Sequence, residues 1–167
     1  KSTQKLIIYI FIATIPAVIV GFTLRNNIEI LFESVSSVGF ALLFTGLVLI
    51  LSSNFKNKNS KHSLFSSVVI GFGQALAIIP GISRSGMTIT LSLIFGFSPK
   101  ESAKFSFLLS IPVIAGAGVL GIQDIQSTEI FSVDIILAAV LSSFFIGIIA
   151  LRLLIKLLEL GKFYIFG

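Results

Sequence analysis

Cysteine and tryptophan are absent from this sequence, and charge is scarce: 11% of its 167 residues are charged. The lack of cysteine excludes disulfides, thiolate metal sites and cysteine nucleophiles. Soluble domains carry about 25% charged residues. So few charges cannot clothe a water-facing surface, and hydrophobic residues make up 55% of the chain. The composition therefore describes an integral membrane protein. Its apolar runs are long and lack the strict alternation of barrel strands, which makes the class all-α. The 17 phenylalanines suit lipid-facing and interhelical packing. The net charge of +5 would suggest nucleic acid in a soluble protein. In a membrane protein it follows from basic residues collecting in cytoplasmic loops, so no nucleic-acid partner is expected.

Residues 6–24, "LIIYIFIATIPAVIVGFTL", are long enough to cross a bilayer, with a kink expected at Pro16. They are too long for a signal peptide, and no small-x-small cleavage site follows them. Residues 37–52, 105–122 and 132–157 read as further spans. Residues 64–79 and 87–97 are apolar but short, and "GKFYIFG" at the end turns apolar again. Residues 1–167 form a single membrane domain, expected to be a piece of a longer protein with a further helix after the tail.

Charge asymmetry sets an orientation. Lys1 and Lys5 precede the first span, and Arg25, Glu29 and Glu33 make the next loop slightly acidic. Lys56, Lys58 and Lys61 make the 53–62 loop basic, which suits a cytoplasmic loop near anionic lipid heads. Asp124, Glu129 and Asp134 have no basic neighbour, and Arg152 and Lys156 close the last span. One topology satisfies all of these: start inside, 25–33 outside, 53–62 inside, 123–134 outside, end inside.

Residues 64–97 must then leave and return on the same side, because Lys100 and Lys104 are again cytoplasmic. A helix over 87–97 covers about 16 Å, half of a hydrocarbon core roughly 30 Å thick. The segment is predicted to be a re-entrant helical hairpin with "PGISRSG" at its tip near the midplane. Pro80 ends the first arm, and Gly81 and Gly86 permit unusual backbone conformations. The second arm starts after the turn, leaving helix N-terminal N–H groups free for an anion. Ser83, Ser85 and Thr88 add hydroxyls. Arg84, the one charged residue between Ser63 and Pro99, adds a planar fork that matches phosphate oxygens. An ionisable residue at this depth marks function, and together these groups ask for a phosphate or diphosphate.

The stretch "GFGQALAIIPGISRSGMT", residues 71–88, resembles the second signature motif of the undecaprenyl-diphosphate phosphatase family, membrane enzymes also known as bacitracin-resistance proteins. "ESAKFSFLLSIPVIAGA", residues 101–117, and the spacing of the spans are similar too. The resemblance implies hydrolysis of undecaprenyl diphosphate to undecaprenyl phosphate and phosphate, which recycles the lipid carrier for cell-wall synthesis. It implies two inverted repeats, each with a re-entrant pair, around a cavity open to the outer face of a bacterial plasma (inner) membrane. Ser83, Arg84 and Thr88 are then expected at the catalytic centre, and Gly81, Gln74, Ser85 and Gly86 around the substrate. Which serine attacks, if either, is left open. The resemblance also implies a divalent cation, magnesium or calcium.

The family's other motif, rich in glutamate and with a histidine, is not in this sequence. The metal ligands are expected there, in an N-terminal repeat that precedes Lys1, and none in this chain. Gln74 stands where that repeat would carry a glutamate. Ester hydrolysis needs an acid or base and usually a metal, so this chain is expected to bind the diphosphate and, alone, to show little activity. A transporter or flippase of a phosphorylated polyprenyl lipid is the alternative, since re-entrant hairpins also serve transport. The sequence allows a homodimer and does not require one.

Three other features have simpler readings. "SPKE", residues 98–101, reads as a capping box with Glu101 at N3. His62, the only histidine, reads as a solvated loop residue. Gly116, Gly118 and Gly121 have the spacing of a helix-packing face.

Overall fold

A computed structural model of the chain describes residues 2–24, 31–52, 60, 62–124 and 132–167. The positions read as topogenic charges at Lys1, Arg25, Glu29, Lys56, Lys58, Lys61 and Glu129 lie outside the described residues. Among the described residues six longer helices follow one another: α1 Ser2–Thr23, α2 Val35–Ser52, α3 Leu64–Leu76, α4 Arg84–Ile94, α5 Pro99–Asp124 and α6 Val133–Glu159, with a short 3₁₀ turn at Phe163–Phe166. No strand occurs among the described residues. Four helices are long and apolar enough to cross a membrane: residues 4–23, 35–52, 99–119 and 133–159. α3 and α4, at 13 and 11 residues, are not.

Many β-branched residues occupy these helices, against their modest helix propensity. In hydrocarbon the alternative is an unsatisfied backbone, and intrahelical hydrogen bonding decides the matter. The surface agrees. Phe11, Phe22, Phe40, Phe145 and Ile149 are each more than 60% exposed. In water that surface would aggregate; in lipid it is solvated. The chain is a multi-pass membrane protein.

The interior is organised around the α3–α4 hairpin. α3 crosses α1 closely: a Cβ on Gly71 would lie 2.5 Å from the Ala13 carbonyl oxygen. One apolar cluster joins Ala13, Ile70, Phe97, Phe105 and Leu109; a second joins Leu49, Ile89, Ala103, Leu158 and Phe163. Lipid tails are as apolar as these side chains, so burial from water does not hold the helices together. Close packing and interhelical hydrogen bonds do. One buried pair supplies such a bond, Thr88 Oγ1 and Ser106 Oγ at 2.6 Å between α4 and α5, while the buried hydroxyls of Ser67 and Ser92 bond back to the Ser63 and Thr88 carbonyls.

Helix ends follow local rules. Ser63 caps α3 reciprocally with Ser66: each side-chain oxygen accepts the other's backbone N–H, at 3.1 and 3.0 Å. At α5, the Glu101 N–H donates to Ser98 Oγ at 3.2 Å, and that hydroxyl donates to Glu101 Oε2 at 3.1 Å. The capping reading of residues 98–101 holds.

His62 is not the solvated residue that its basic loop suggested. Its ring lies 4.1 Å from that of Phe97 and 4.5 Å from that of Phe105, between centroids, and its Nδ1 is buried without a partner among the described residues. Burial pushes the imidazole below its ordinary range, while Glu101 acts in the opposite direction. The flat, amphipathic ring closes the open end of the hairpin, and sequence neighbours alone do not report that packing.

The glycine trio also differs from its reading. Added Cβ atoms at Gly116, Gly118 and Gly121 would meet nothing within 4 Å. Among the described residues no helix packs on this face. The tail Phe163–Phe166 folds back on α2, where a Cβ on Gly46 would come within 3.0 Å of the Gly167 carbonyl.

Candidate functional site

The hairpin tip begins where α3 ends at Leu76, and Ile79–Ile82 makes a type II turn. The Ile82 N–H donates to the Ile79 carbonyl at 3.1 Å, with Pro80 in the second position and Gly81 in the third at φ +95°. Only glycine suits Gly81 twice over. The left-handed φ resists a side chain, and a Cβ would lie 2.6 Å from the Val38 carbonyl oxygen on α2.

α2 holds the tip through one hydroxyl. Thr45 Oγ1 donates to the Gly81 carbonyl at 3.1 Å and accepts from the Ser83 N–H at 3.1 Å. Sequence reasoning missed this residue. Its signal was available: Thr45 is the single polar side chain between Val38 and Leu51.

The second arm starts at Arg84, inside the motif and earlier than residue 87. Ser83 is its N-cap, with Oγ accepting from the Gly86 N–H at 3.1 Å. Ser83 thereby takes one of the N–H groups that an anion could have used. Arg84 stands in the first turn of α4, so the guanidinium charge and the positive end of the helix dipole reinforce each other.

Arg84 Nε donates to Gln74 Oε1 at 3.1 Å, and Nη2 reaches the Leu109 carbonyl at 3.5 Å. That carbonyl lies in the turn of α5 before Pro112. No carboxylate lies against Arg84 among the described residues. The remaining guanidinium donors face a cavity of about 1010 Å³, walled by Ala17, Gly21 and Phe22 of α1 and by Pro112, Gly116 and Gly121 of α5.

Ser83 and Ser85 open elsewhere. With Gly81, Gly86, Thr45 and Phe163 they line a second cavity of about 530 Å³. Thr88 lies in neither: it is fully buried, and its Oγ1 is 2.6 Å from Ser106 Oγ and 2.9 Å from the Arg84 carbonyl. Of the sequence-derived site residues, Arg84 and Gln74 share one cavity, while Ser83, Ser85, Gly81 and Gly86 share the other. Thr88 props the first turn of α4 against α5.

Among the described residues no group of three His, Asp or Glu could hold a metal ion. A guanidinium, an amide and hydroxyls do not make a divalent-cation site, whose ligands are carboxylates and carbonyls. The arrangement suits the opposite charge, an anion.

Comparison with known proteins shows the family. The description "bacitracin resistance protein BacA" matches residues 1–167. The chain belongs to that family. It is 38% identical to a protein of Halothermothrix orenii, covering 100% of this chain and 66% of that one. It is 39% identical to one of Methanobrevibacter smithii, covering 98% of this chain and 61% of that one. Both bear the name undecaprenyl-diphosphatase. The chain thus spans less than two-thirds of the length of these relatives. A protein of Methanothermobacter thermautotrophicus with the same name is 39% identical over 95% of this chain and is itself covered over 91% of its length.

Proposed function

We propose that this chain forms the diphosphate-binding part of an enzyme that hydrolyses undecaprenyl diphosphate to undecaprenyl phosphate and phosphate, recycling the carrier for cell-wall synthesis. One observation carries the reading: a guanidinium without a carboxylate partner among the described residues, at a helix N-terminus, borders an apolar cavity of about 1010 Å³. A half-buried cation without an anion is costly at membrane depth unless one arrives with the ligand. The apolar walls suit a polyprenyl chain and the guanidinium suits its diphosphate. The names borne by the relatives point the same way.

In this reading Arg84 takes the phosphate oxygens through its fork and offsets their charge as the bond to the leaving phosphate breaks. Ser83, Gly81 and Gly86 shape the turn that presents it, and Thr88 holds the following helix turn. Ser85 borders the second cavity. The α3–α4 hairpin is re-entrant, with its tip near the midplane, and the larger cavity opens toward the outer face of a bacterial plasma membrane. A divalent cation, magnesium or calcium, would need carboxylates that the described residues do not supply around Arg84.

The test is phosphate release from undecaprenyl diphosphate by the full-length protein in detergent. Arg84→Ala should lower turnover at least about a hundredfold, the size expected for losing a charged donor to the transition state. Unchanged release would overturn the assignment. Movement of a phosphorylated polyprenyl lipid across liposomes without phosphate release would replace hydrolysis with transport. The 167 residues alone should release little phosphate, because no acid or base stands beside Arg84 among the described residues. Arg84-dependent release by this chain alone would overturn that.

A further inference from the structure

Beside Arg84 one buried polar group has no partner among the described residues. Gln74 is 2% exposed. Arginine carries donors only, so the amide atom 3.1 Å from Arg84 Nε must be the oxygen. The orientation of the amide is thereby settled, and Nε2 is turned away from Arg84. Among the described residues that nitrogen has no hydrogen-bond partner, and Gln74 lines the same cavity as Arg84. Buried amide donors are almost always satisfied in folded proteins, and an exception marks a place where something else completes the bond.

The choice of an amide has a reason. A glutamate here would grip Arg84 Nε more strongly, through a charge-assisted bond. It would also cancel the charge that an anion needs. A glutamine holds the same Nε–H while leaving the guanidinium's charge free. Arg84 has a long, flexible side chain, and its fork is specific only when its plane is held. Gln74 and the Leu109 carbonyl hold that plane from two sides.

We infer that Gln74 is a positioning residue for Arg84 and a second donor to the same phosphate group. Its Oε1 orients the guanidinium without neutralising it, and its Nε2 completes the anion's coordination. The inference rests on the diphosphate reading of this cavity. It adds a specificity rule: position 74 must accept from Arg84 and must not be charged.

The experiment compares wild-type full-length protein with Gln74→Glu, Gln74→Met and Arg84→Ala, measuring KM and kcat for phosphate release from undecaprenyl diphosphate and the unfolding temperature of each in detergent. Glutamate and methionine match glutamine in length, so if one variant fails to fold the other still reports. Gln74→Glu should raise KM at least about tenfold while keeping or raising the unfolding temperature, because it gains an ion pair. Gln74→Met should raise KM about three- to tenfold, with kcat less affected. Wild-type KM in Gln74→Glu would overturn the inference. So would equal losses of thermal stability in both variants, which would make Gln74 part of the packing alone. Wild-type turnover in Arg84→Ala would instead sink the diphosphate reading, whatever the Gln74 variants do.

Discussion

On one side of the hairpin tip, Arg84 and Gln74 face a cavity of about 1010 Å³ with apolar walls. On the other, Ser83 and Ser85 face about 530 Å³ closed by Leu154, Phe163 and Phe166. The residues are sequence neighbours, but α4 begins here, and successive helical side chains point about 100° apart. The difference separates two tasks. The arginine side presents uncompensated charge. On the serine side two hydroxyls are spent internally: Ser83 caps α4, and Thr45 ties both ends of the turn to α2. A tip that must hold a cation still in a membrane needs both, and one face cannot supply both.

Substitutions can break this division, in decreasing order of effect. Arg84→Ala should be the largest, a hundredfold or more in turnover at nearly unchanged stability. Gly81→Ala should disturb both sides at once. Its left-handed φ and the approach of the Val38 carbonyl predict a loss of about 3 kcal/mol, readable by thermal unfolding in detergent. A neutral result would mean the turn tolerates another conformation. Thr45→Val should act on the serine side alone. It removes two hydrogen bonds at the cost of about 1–2 kcal/mol, and turnover should fall less than tenfold. A loss as deep as that of Arg84→Ala would erase the distinction between the faces. Thr88→Val and Ser106→Ala, alone and combined, should show a coupling of about 1 kcal/mol in a double-mutant cycle; additive effects would remove the strut.

The smallest effect is expected at His62, at the far end of the hairpin from both cavities. Its folded-state pKa lies below the ordinary value of 6.5. The unfolded chain therefore takes up the proton first. Stability should be constant above that value and fall as pH drops through it toward the folded-state pKa. His62→Phe should flatten the unfolding temperature across the same window. A wild-type protein whose stability rises on acidification would reverse the account.

Much of the site was readable from residues 77–90. The lone arginine, the Pro-Gly pair and the short arms located the tip, and the turn found at Ile79–Ile82 follows the Pro-Gly chemistry. The spans at residues 4–23, 35–52, 99–119 and 133–159 follow the apolar runs. Other features were not readable. Thr45 lies 36 residues from Gly81 and joins it only when α2 packs on the turn. The start of α4 at Arg84 depended on Ser83 acting as a cap, which spacing did not distinguish from a free turn residue. Gly116, Gly118 and Gly121 had the spacing of a packing face and border open space instead.

The sequence by itself determined that this chain lives in a membrane as helices, because 55% hydrophobic residues in long runs leave the backbone no other way to satisfy its hydrogen bonds. It also determined that a single cation sits at a turn built for tight geometry. Only the tertiary structure decided which neighbours that cation keeps. Arg84 meets Gln74 across the hairpin and the Leu109 carbonyl at the turn before Pro112, while Ser83 bonds through its N–H to Thr45 of α2 and Ser85 lines a separate cavity. Helical rotation sends adjacent residues to different surfaces, and which surface holds a partner depends on packing among segments far apart in the chain.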